Sequence, residues 1–360
     1  MEALVNVAAP PDALAESAEP ISFFTESLRG YRDLVIAEMD RIIANKKFQR
    51  NLAARIAEYP LRAGKGLRPA LCLATCQALG GKANDALPSA VALELYHNAF
   101  LVHDDIEDES TYRRGKPTIH QQYGLAIAIN IGDALSVLAM TPLLANLRVI
   151  GLGRSLRVLG EIERMARVSV EGQAMELDWV STQEWRLTDR DYYAMTRRKT
   201  CWYTCVSPCR IGAIIAGTNP RTLKSLRRFG VCMGIAFQIR DDLLNLSGAE
   251  DAYGKESAGD IWEGKRTLML IMLMQRASER ERQRLTRVMG TSRQDKREDD
   301  VAWVLKMMQR YDCLEDASAA AQRFAVRADR WFAEAMGDQP DTPHRRFLEA
   351  AINYVIQREQ

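Results

Sequence analysis

Apolar residues recur three and four positions apart over most of the chain, which places them on one face of an α-helix. The pattern begins near Ile21 and continues in LRGYRDLVIAEMDRII, SLRVLGEIERMARVSVEGQAMELDWV and NPRTLKSLRRFGVCMGIAFQIRDDLLNL. PSAVALELYHNAFLVH is a further long helix, with Pro88 and Ser89 near its start. Alternating patterns typical of strands are scarce. The sequence therefore predicts an all-α fold.

Glycine and proline cluster in short joints such as GLGRS and AGTNP, so we predict one large helical domain over residues 21–360. Residues 1–20 are rich in alanine, proline and acidic residues and are expected to be disordered. The joint MGTSRQDKREDD is highly charged. It predicts an exposed loop before the C-terminal helices.

The segment Leu125–Leu147 is the most apolar part of the chain, yet it contains Asn130, Asp133 and Pro142. A charged residue near the centre of a lone spanning helix costs several kcal/mol. We interpret the segment as a helix buried in the protein core, and we expect no transmembrane span.

The charges nearly cancel, with 49 Lys+Arg against 47 Asp+Glu, which gives no reason to expect nucleic acid as a partner. The N-terminus does not resemble a secretion signal, so the seven cysteines indicate thiols in a reducing cytoplasm. Cys201, Cys205 and Cys209 stack on one helix face. We interpret them as small buried hydrophobes and not as metal ligands, which would have to converge from several directions.

Two acidic clusters carry the candidate chemistry. In the first, Asp104 and Asp108 are four residues apart and project from the same helix face, with Asp105 beside them. In the second, Asp241 and Asn245 have the same spacing, and Asp242 lies beside them. Such close carboxylates repel each other unless a cation neutralises them.

Hard oxygen ligands suit Mg²⁺, which is commonly held by one or two carboxylates together with substrate phosphates. AFLVH precedes the first cluster and GIAFQI precedes the second. Two acidic clusters, each following an apolar stretch, predict two walls of one cavity with the acids at its mouth.

Basic residues near these clusters supply the other half of a diphosphate site, because arginine holds phosphate oxygens in a bidentate fork. The basic and polar candidates are Lys65, Arg68, Arg113, Arg114, Lys199, Thr200, Lys255 and Lys265.

Taken together, these segments resemble the polyprenyl synthetase family of isoprenyl diphosphate synthases. The matching motifs, in order, are GKGLRP, LELYHNAFLVHDDIEDES, RRGKPTIH, NIGDAL, GQAMEL, MTRRKT, FQIRDDLLN and YGKESAGDIWEGKRTLML. The resemblance implies antiparallel helices around a central cavity, a homodimer, and three Mg²⁺ ions as cofactor.

The resemblance also implies roles for individual residues. The isopentenyl diphosphate site would consist of Lys65, Arg68, His97 and Arg114. Asp104 and Asp108 would bind two Mg²⁺ ions and Asp241 a third, with Asp105 and Asp242 supporting them. The allylic diphosphate site would consist of Arg113, Lys199, Thr200, Gln238, Lys255 and Lys265. Gln173 would line the cavity near the reacting carbons.

The implied activity joins an allylic diphosphate to isopentenyl diphosphate. One departure from many members of the family is Asn245 in place of an aspartate. Product length should depend on the residue one turn before Asp104, which is Phe100. Phe100 is either the cavity floor or core packing, and Ala99 beside it would leave room. We expect a C20 product, with C15 and C25 as alternatives.

Three other readings stay open. The pair His103–Asp104 occurs in HD-type phosphohydrolases, but the second acidic cluster has no role in such a site. A terpene cyclase also uses carboxylate-bound Mg²⁺, although it needs no second diphosphate site. A non-catalytic partner subunit of a prenyl synthase is the third; such subunits typically lose an acidic cluster, and both are present here.

Overall fold

The computed structural model describes residues 20–46, 48–62, 64–247 and 258–357, and these are overwhelmingly helical. The first helices are α1 (Pro20–Asn45), α2 (Arg50–Leu61), α3 (Leu67–Ala78), α4 (Ala83–Glu107), α5 (Ile119–Tyr123), α6 (Leu125–Leu138), α7 (Met140–Val149) and α8 (Gly151–Ser181). The later ones are α9 (Asp189–Thr196), α10 (Ser207–Ala216), α11 (Pro220–Ser247), α12 (Gly259–Trp262), α13 (Leu268–Arg276), α14 (Glu279–Gly290), α15 (Glu298–Arg310), α16 (Cys313–Met336) and α17 (Pro343–Gln357). The predicted all-α fold class is confirmed.

Two further elements complete the described chain. The strands β1 (Tyr112–Arg113) and β2 (Lys116–Pro117) form a short antiparallel hairpin after α4. A π-helical segment, Arg197–Val206, joins α9 to α10 and is called the π segment below. Disorder is predicted for residues 1–20. Residues 1–19 lie outside the described residues, and α1 begins at Pro20.

Two hydrophobic clusters meet at α11. One cluster contains buried residues of α1, α3, α4, α10 and α17, and it includes Met233 and Ala236 of α11. The other contains buried residues of α9 and α12 to α16, and it includes Ile235 and Ile239 of α11. α11 is therefore apolar on two sides, as expected for a helix inside the protein. It packs along α16 on one side and against the π segment on another.

The π segment is held tightly between α8 and α11. A Cβ on Gly172 of α8 would lie 2.1 Å from the backbone nitrogen of Lys199. A Cβ on Gly234 of α11 would lie 2.7 Å from Sγ of Cys201. Both glycines are thus required for this close approach. Because the backbone of the π segment packs closely against helices on both sides, the backbone positions of Lys199 and Thr200 are fixed.

The three cysteines of one helix face are all buried, as the sequence predicts. Burial raises the pKa of the Cys201 and Cys205 thiols, and it raises the pKa of Cys209 to about 12. They pack as small hydrophobes.

The prediction of a helix buried in the protein core at Leu125–Leu147 is wrong in part. The segment forms α6 and α7, and only one face of it is buried. The other face is exposed, as are apolar residues of α8. The side chain of Val137, for example, is 71% exposed. We call this surface the α6–α8 apolar face; its exposed residues are Leu125, Ile129, Val137, Met140, Leu144, Leu147, Val149, Leu152, Leu156 and Leu159. By length and composition alone Leu125–Val149 passes as a candidate membrane span among the described residues, and 44% of its apolar window is buried within the protein.

The prediction of an exposed charged loop at MGTSRQDKREDD is also wrong in part. Most of the residues between α14 and α15 are exposed or half-buried, but the side chain of Lys296 is buried. The local charge predicts that Lys296 is exposed, but its packing against α12 buries it.

Candidate active site

The two acidic clusters lie on opposite walls of one cleft of about 300 Å³. α4 brings the first cluster to the cleft at its C-terminal end, and α11 brings the second. The cleft is lined by these residues predicted from the sequence: Arg68, His97, Asp104, Asp108, Arg113, Arg114, Lys199, Thr200, Gln238, Asp241, Asp242, Asn245 and Lys265. Asp105, just behind the first wall, contacts one of them.

Two predicted positions, Lys65 and Ala99, do not line the cleft, and a third cannot be placed. Lys65 is exposed, and its Nζ lies 5.8 Å from the centre of the Tyr354 ring, because the chain turns at Gly66 with a left-handed φ of 68° before α3 begins. Ala99 is fully buried in the first hydrophobic cluster. Lys255 lies outside the described residues.

The acidic wall of α4 concentrates negative charge. Asp104 stands in its last turns, Asp108 is its C-cap residue, and the last turn contains no basic residue. The helix C-terminus adds its own partial negative charge, which disfavours carboxylates and favours a cation. Burial, with Asp108 nearby, raises the pKa of Asp104 to about 6 although Lys199 opposes the shift. This wall needs a positive partner.

Asp105 is turned away from the cleft. Its Oδ1 accepts a 2.7 Å hydrogen bond from Nε of Arg113, and its Oδ2 accepts one from the hydroxyl of Tyr59. Burial disfavours the charge on Arg113, but the Asp105 carboxylate outweighs it and raises the pKa of the guanidinium. Asp105 thus fixes the β1–β2 hairpin and α2 against α4, and it holds Arg113 at the cleft.

A chain of hydrogen bonds orders the second acidic wall. The hydroxyl of Thr200 donates to Oε1 of Gln238 at 2.7 Å, and Nε2 of Gln238 donates to Oδ1 of Asp242 at 2.7 Å. Tyr192 donates to the other oxygen of Asp242 at 2.7 Å. Burial, together with Asp260 and Asp241, raises the pKa of Asp242 well above its ordinary value. Asp242 is therefore a buried anchor, while Asp241 borders the cleft.

Asn245 has a clear structural use. Its Oδ1 accepts a hydrogen bond of 3.1 Å from the backbone N–H of Asp260, and its backbone carbonyl accepts one of 2.8 Å from Ala258. Asn245 thereby fastens the end of α11 to the start of α12, and this contact needs no negative charge.

Each lysine of the cleft is paired with carboxylates. Lys199 forms an ion pair with Glu176, and Lys265 lies 2.6 Å from Asp108 and 2.7 Å from Glu263. Burial disfavours the charge on both lysines, but these carboxylates raise the pKa of each above its ordinary value. Both side chains are cations next to the acidic wall, where they can bind an anion together with a metal ion.

A separate cationic group lies on α3, α4 and the hairpin. Nη1 of Arg68 is 3.2 Å from Nε2 of His97, and its guanidinium stacks 4.5 Å from the Tyr203 ring centre. Arg114 donates to the carbonyl of Arg62 at 2.9 Å. Burial lowers the pKa of His97, and the nearby arginines lower it further. The result is two guanidinium groups around a neutral imidazole, which suits a second anionic ligand.

An apolar cavity of about 110 Å³ opens beside Asp104 and Lys199. Phe100 lines it and meets the Tyr203 ring edge to face at 5.7 Å. Gln173 also lines it and donates to Glu107. A hydrocarbon chain attached to a diphosphate in the cleft would fit this arrangement.

Several cleft residues escaped the sequence analysis. Glu176, Tyr203, Asp260 and Arg266 line the cleft, and Glu263 forms an ion pair with Lys265. Glu176 belongs to GQAMEL, and Asp260, Glu263 and Arg266 belong to GDIWEGKR, so the motifs signalled them. Tyr203 follows Lys199 by four residues on the same segment, a spacing that could have placed it there.

The donor set fits Mg²⁺ held jointly with a substrate. Within the described ranges, no three His, Cys, Asp or Glu side chains converge as a complete metal centre. The aspartates on the two walls offer hard oxygen ligands at one cleft, and Mg²⁺ typically completes its shell with water and substrate phosphates.

Comparison with known proteins gives the same picture. A model of the polyprenyl synthetase family matches residues 50–308. The chain is 33% identical over 306 residues to the short chain isoprenyl diphosphate synthase of Methanothermobacter thermautotrophicus, an alignment that covers 85% of this chain and 90% of the relative.

Solved structures share the fold. The geranylgeranyl pyrophosphate synthetase of Pyrococcus horikoshii is 31% identical, with a TM-score of 0.83 over 95% of this chain and 100% of the other. The geranylgeranyl pyrophosphate synthase of Corynebacterium glutamicum, complexed with isoprenyl diphosphate and magnesium, is 26% identical, with a TM-score of 0.81 over 93% of this chain and 98% of the other. The chain belongs to the polyprenyl synthetase family.

Proposed function

We propose that this protein is a Mg²⁺-dependent prenyltransferase that joins an allylic diphosphate to isopentenyl diphosphate, with geranylgeranyl diphosphate as the main product. One observation carries the proposal. Two acidic walls share a single cleft, and that cleft has a separate cationic group on one side and an apolar cavity on another. This arrangement provides for two diphosphates and one hydrocarbon chain.

The reaction begins when the carbon–oxygen bond of the allylic diphosphate breaks and its electron pair leaves with the diphosphate. Lys199, Lys265 and Arg113 face the leaving group, and such preorganised cations stabilise the charge that develops there. Mg²⁺ bound by Asp104, Asp108 and Asp241, as three ions in the family pattern, would add further positive charge.

The allylic cation is then attacked by the double bond of isopentenyl diphosphate. Arg68, His97 and Arg114 would hold the diphosphate of this second substrate, and the released diphosphate would accept the proton that is lost. The apolar wall of Phe100 and Tyr203 excludes water, which would otherwise capture the cation.

The decisive test uses the purified full chain with Mg²⁺, isopentenyl diphosphate and each allylic primer in turn, with mass analysis of the products. Elongated diphosphates are expected. Cyclised hydrocarbon without consumption of isopentenyl diphosphate would favour a terpene cyclase. Product that forms only after a second protein is added would favour a partner subunit.

Ligand binding should be visible without turnover. Mg²⁺ together with inorganic pyrophosphate is expected to raise Tm by several degrees, because a ligand at 100 times its Kd stabilises by about 2.7 kcal/mol. Mg²⁺ alone should raise Tm much less, since the carboxylates do not form a complete metal centre. Equal shifts with Mg²⁺ alone, measured by calorimetry, would contradict joint binding.

Product length provides a second prediction. Phe100→Ala is expected to enlarge the apolar cavity and shift the product from C20 toward C25 or longer, because the ring lines that cavity. Chromatography with mass detection measures the change. Phe23→Ala, a half-buried ring on α1 remote from both cavities, is the matched control. An unchanged product from Phe100→Ala would show that the ring is only core packing.

We also propose that the protein is a cytoplasmic homodimer. The α6–α8 apolar face exposes many large apolar side chains on three consecutive helices, and a concentration of exposed apolar residues marks an interaction surface. A second copy placed by a two-fold axis would cover the same face on both chains.

A further inference from the structure

The loop between α14 and α15, residues 291–297, contacts α12 and the turn that follows it, next to the active site. Lys296 is only 6% exposed, in contrast to the charged residues around it. Its Nζ donates to the backbone carbonyls of Ile261 at 2.6 Å and Trp262 at 3.0 Å. These carbonyls end α12, where a helix leaves its last acceptors without partners inside the helix.

A second side chain of the same loop extends this contact to the cleft. Nη1 of Arg293 lies 3.6 Å from one oxygen of Glu263, and Lys265 lies 2.7 Å from the other. Lys265 in turn lies 2.6 Å from Asp108 on the first acidic wall. A continuous line of charged contacts therefore joins the 291–297 loop to the place where we expect a diphosphate.

The burial of Lys296 has a cost. Burial, together with the charges of Arg266 and Arg293, lowers the pKa of its ammonium to about 8, although Glu263 opposes the shift. A buried cation stabilises a fold poorly compared with an apolar residue of similar volume. Stability alone is therefore a weak reason for a lysine here, whereas its hydrogen bonds fix the backbone that carries Glu263 and Lys265.

We propose that Lys296 and Arg293 are positioning residues that hold α12 and the turn at residues 263–265 so that Lys265 faces the allylic diphosphate. The inference rests on the proposed function for its kinetic consequences. It assigns the effect to one substrate only, because Arg68, His97 and Arg114, which face the other diphosphate, lie on different elements and have no contact with this loop among the interactions described.

The test uses Lys296→Met in the full chain, which keeps an unbranched side chain of similar volume and removes its donors. We expect KM for the allylic diphosphate to rise about tenfold, the usual cost of losing a supporting contact around a ligand site, with KM for isopentenyl diphosphate unchanged. Calorimetry should show the affinity for inorganic pyrophosphate with Mg²⁺ falling by a similar factor. Lys296→Arg, which keeps the donors, should restore much of both.

Two further variants complete the design. Arg293→Gln should shift the same two quantities in the same direction by about threefold, since its contact is longer. Lys306→Met makes the same chemical change as Lys296→Met at an exposed position of α15 and should alter neither quantity.

The outcomes are distinct. A lower Tm with both KM values and pyrophosphate affinity unchanged would show that Lys296 is merely structural and would overturn the inference. So would an equal rise in both KM values. If Lys296→Met does not fold, Arg293→Gln decides by the same criteria. If the wild-type chain forms no prenyl product, the proposed function fails, while the calorimetric comparison still tests the positioning role.

Discussion

Asp104→Asn is expected to lower kcat by about three orders of magnitude, the scale of losing one strong electrostatic contact in a transition state. Asp104 borders both the cleft and the apolar cavity, so it stands where the carbon–oxygen bond should break. The amide keeps the size of the side chain but removes the negative charge that would bind Mg²⁺. Steady-state assays with both diphosphates measure the loss.

The control is Glu109→Gln, which removes an exposed charge just beyond the same acidic segment and should leave kcat within about twofold of the wild type, as surface changes usually do. Burial makes the charged form of Asp104 costly, so the asparagine variant should be at least as stable as the wild type in denaturant titrations. A kcat loss below tenfold would remove Asp104 from the proposed metal site.

The parts of the fold and site that could be predicted are those encoded locally. Helical periodicity predicts α4 and α11, and the spacing of Asp104 and Asp108 fixes their common face whatever the tertiary structure. The apolar stretches before both acidic clusters correctly indicate two walls of one cavity, because a helix that is apolar on two sides must lie inside.

The wrong predictions share a physical cause: tertiary contacts determine where in the folded protein a side chain lies. Lys65 and Arg68 are three residues apart, yet the left-handed turn at Gly66 separates them. The loop that contains Lys296 has the composition of a solvated segment, and the hydrogen bonds of Lys296 to the carbonyls of α12 account for the burial of this one side chain. The segment Leu125–Leu147 has the composition of a core helix, yet one of its faces is exposed, because apolar composition does not determine which side of a helix other elements cover.

The charges of the cleft share a common principle. Without ligands, each lysine of the cleft is neutralised by carboxylates of the same site: Lys199 by Glu176, and Lys265 by Asp108 and Glu263. Such pairs are preorganised without leaving a buried charge alone. A diphosphate with Mg²⁺ brings both signs of charge, so it can replace part of each pair while the overall balance is kept.

Lys199→Met tests this balance and is expected to lower kcat by about 10²-fold or more, because a cation aimed at the leaving diphosphate is lost. It should also lower the free energy of unfolding by about 2 kcal/mol, since Glu176 remains in the site without its partner. Adding Glu176→Gln to Lys199→Met should restore most of the free energy of unfolding but should leave kcat low. Arg197→Met, at an exposed position of the π segment, is the matched control for both measurements.

The double variant separates two roles that a single variant mixes. If Lys199 acts only as the partner of Glu176, removing both charges should restore activity and stability together. If Lys199 also acts on the leaving group, kcat should stay low in the double variant while the unfolding midpoint in urea returns toward that of the wild type. Recovery of kcat would show that the cleft needs a neutral pair at this position and not a cation, which would exclude Lys199 from the allylic diphosphate site.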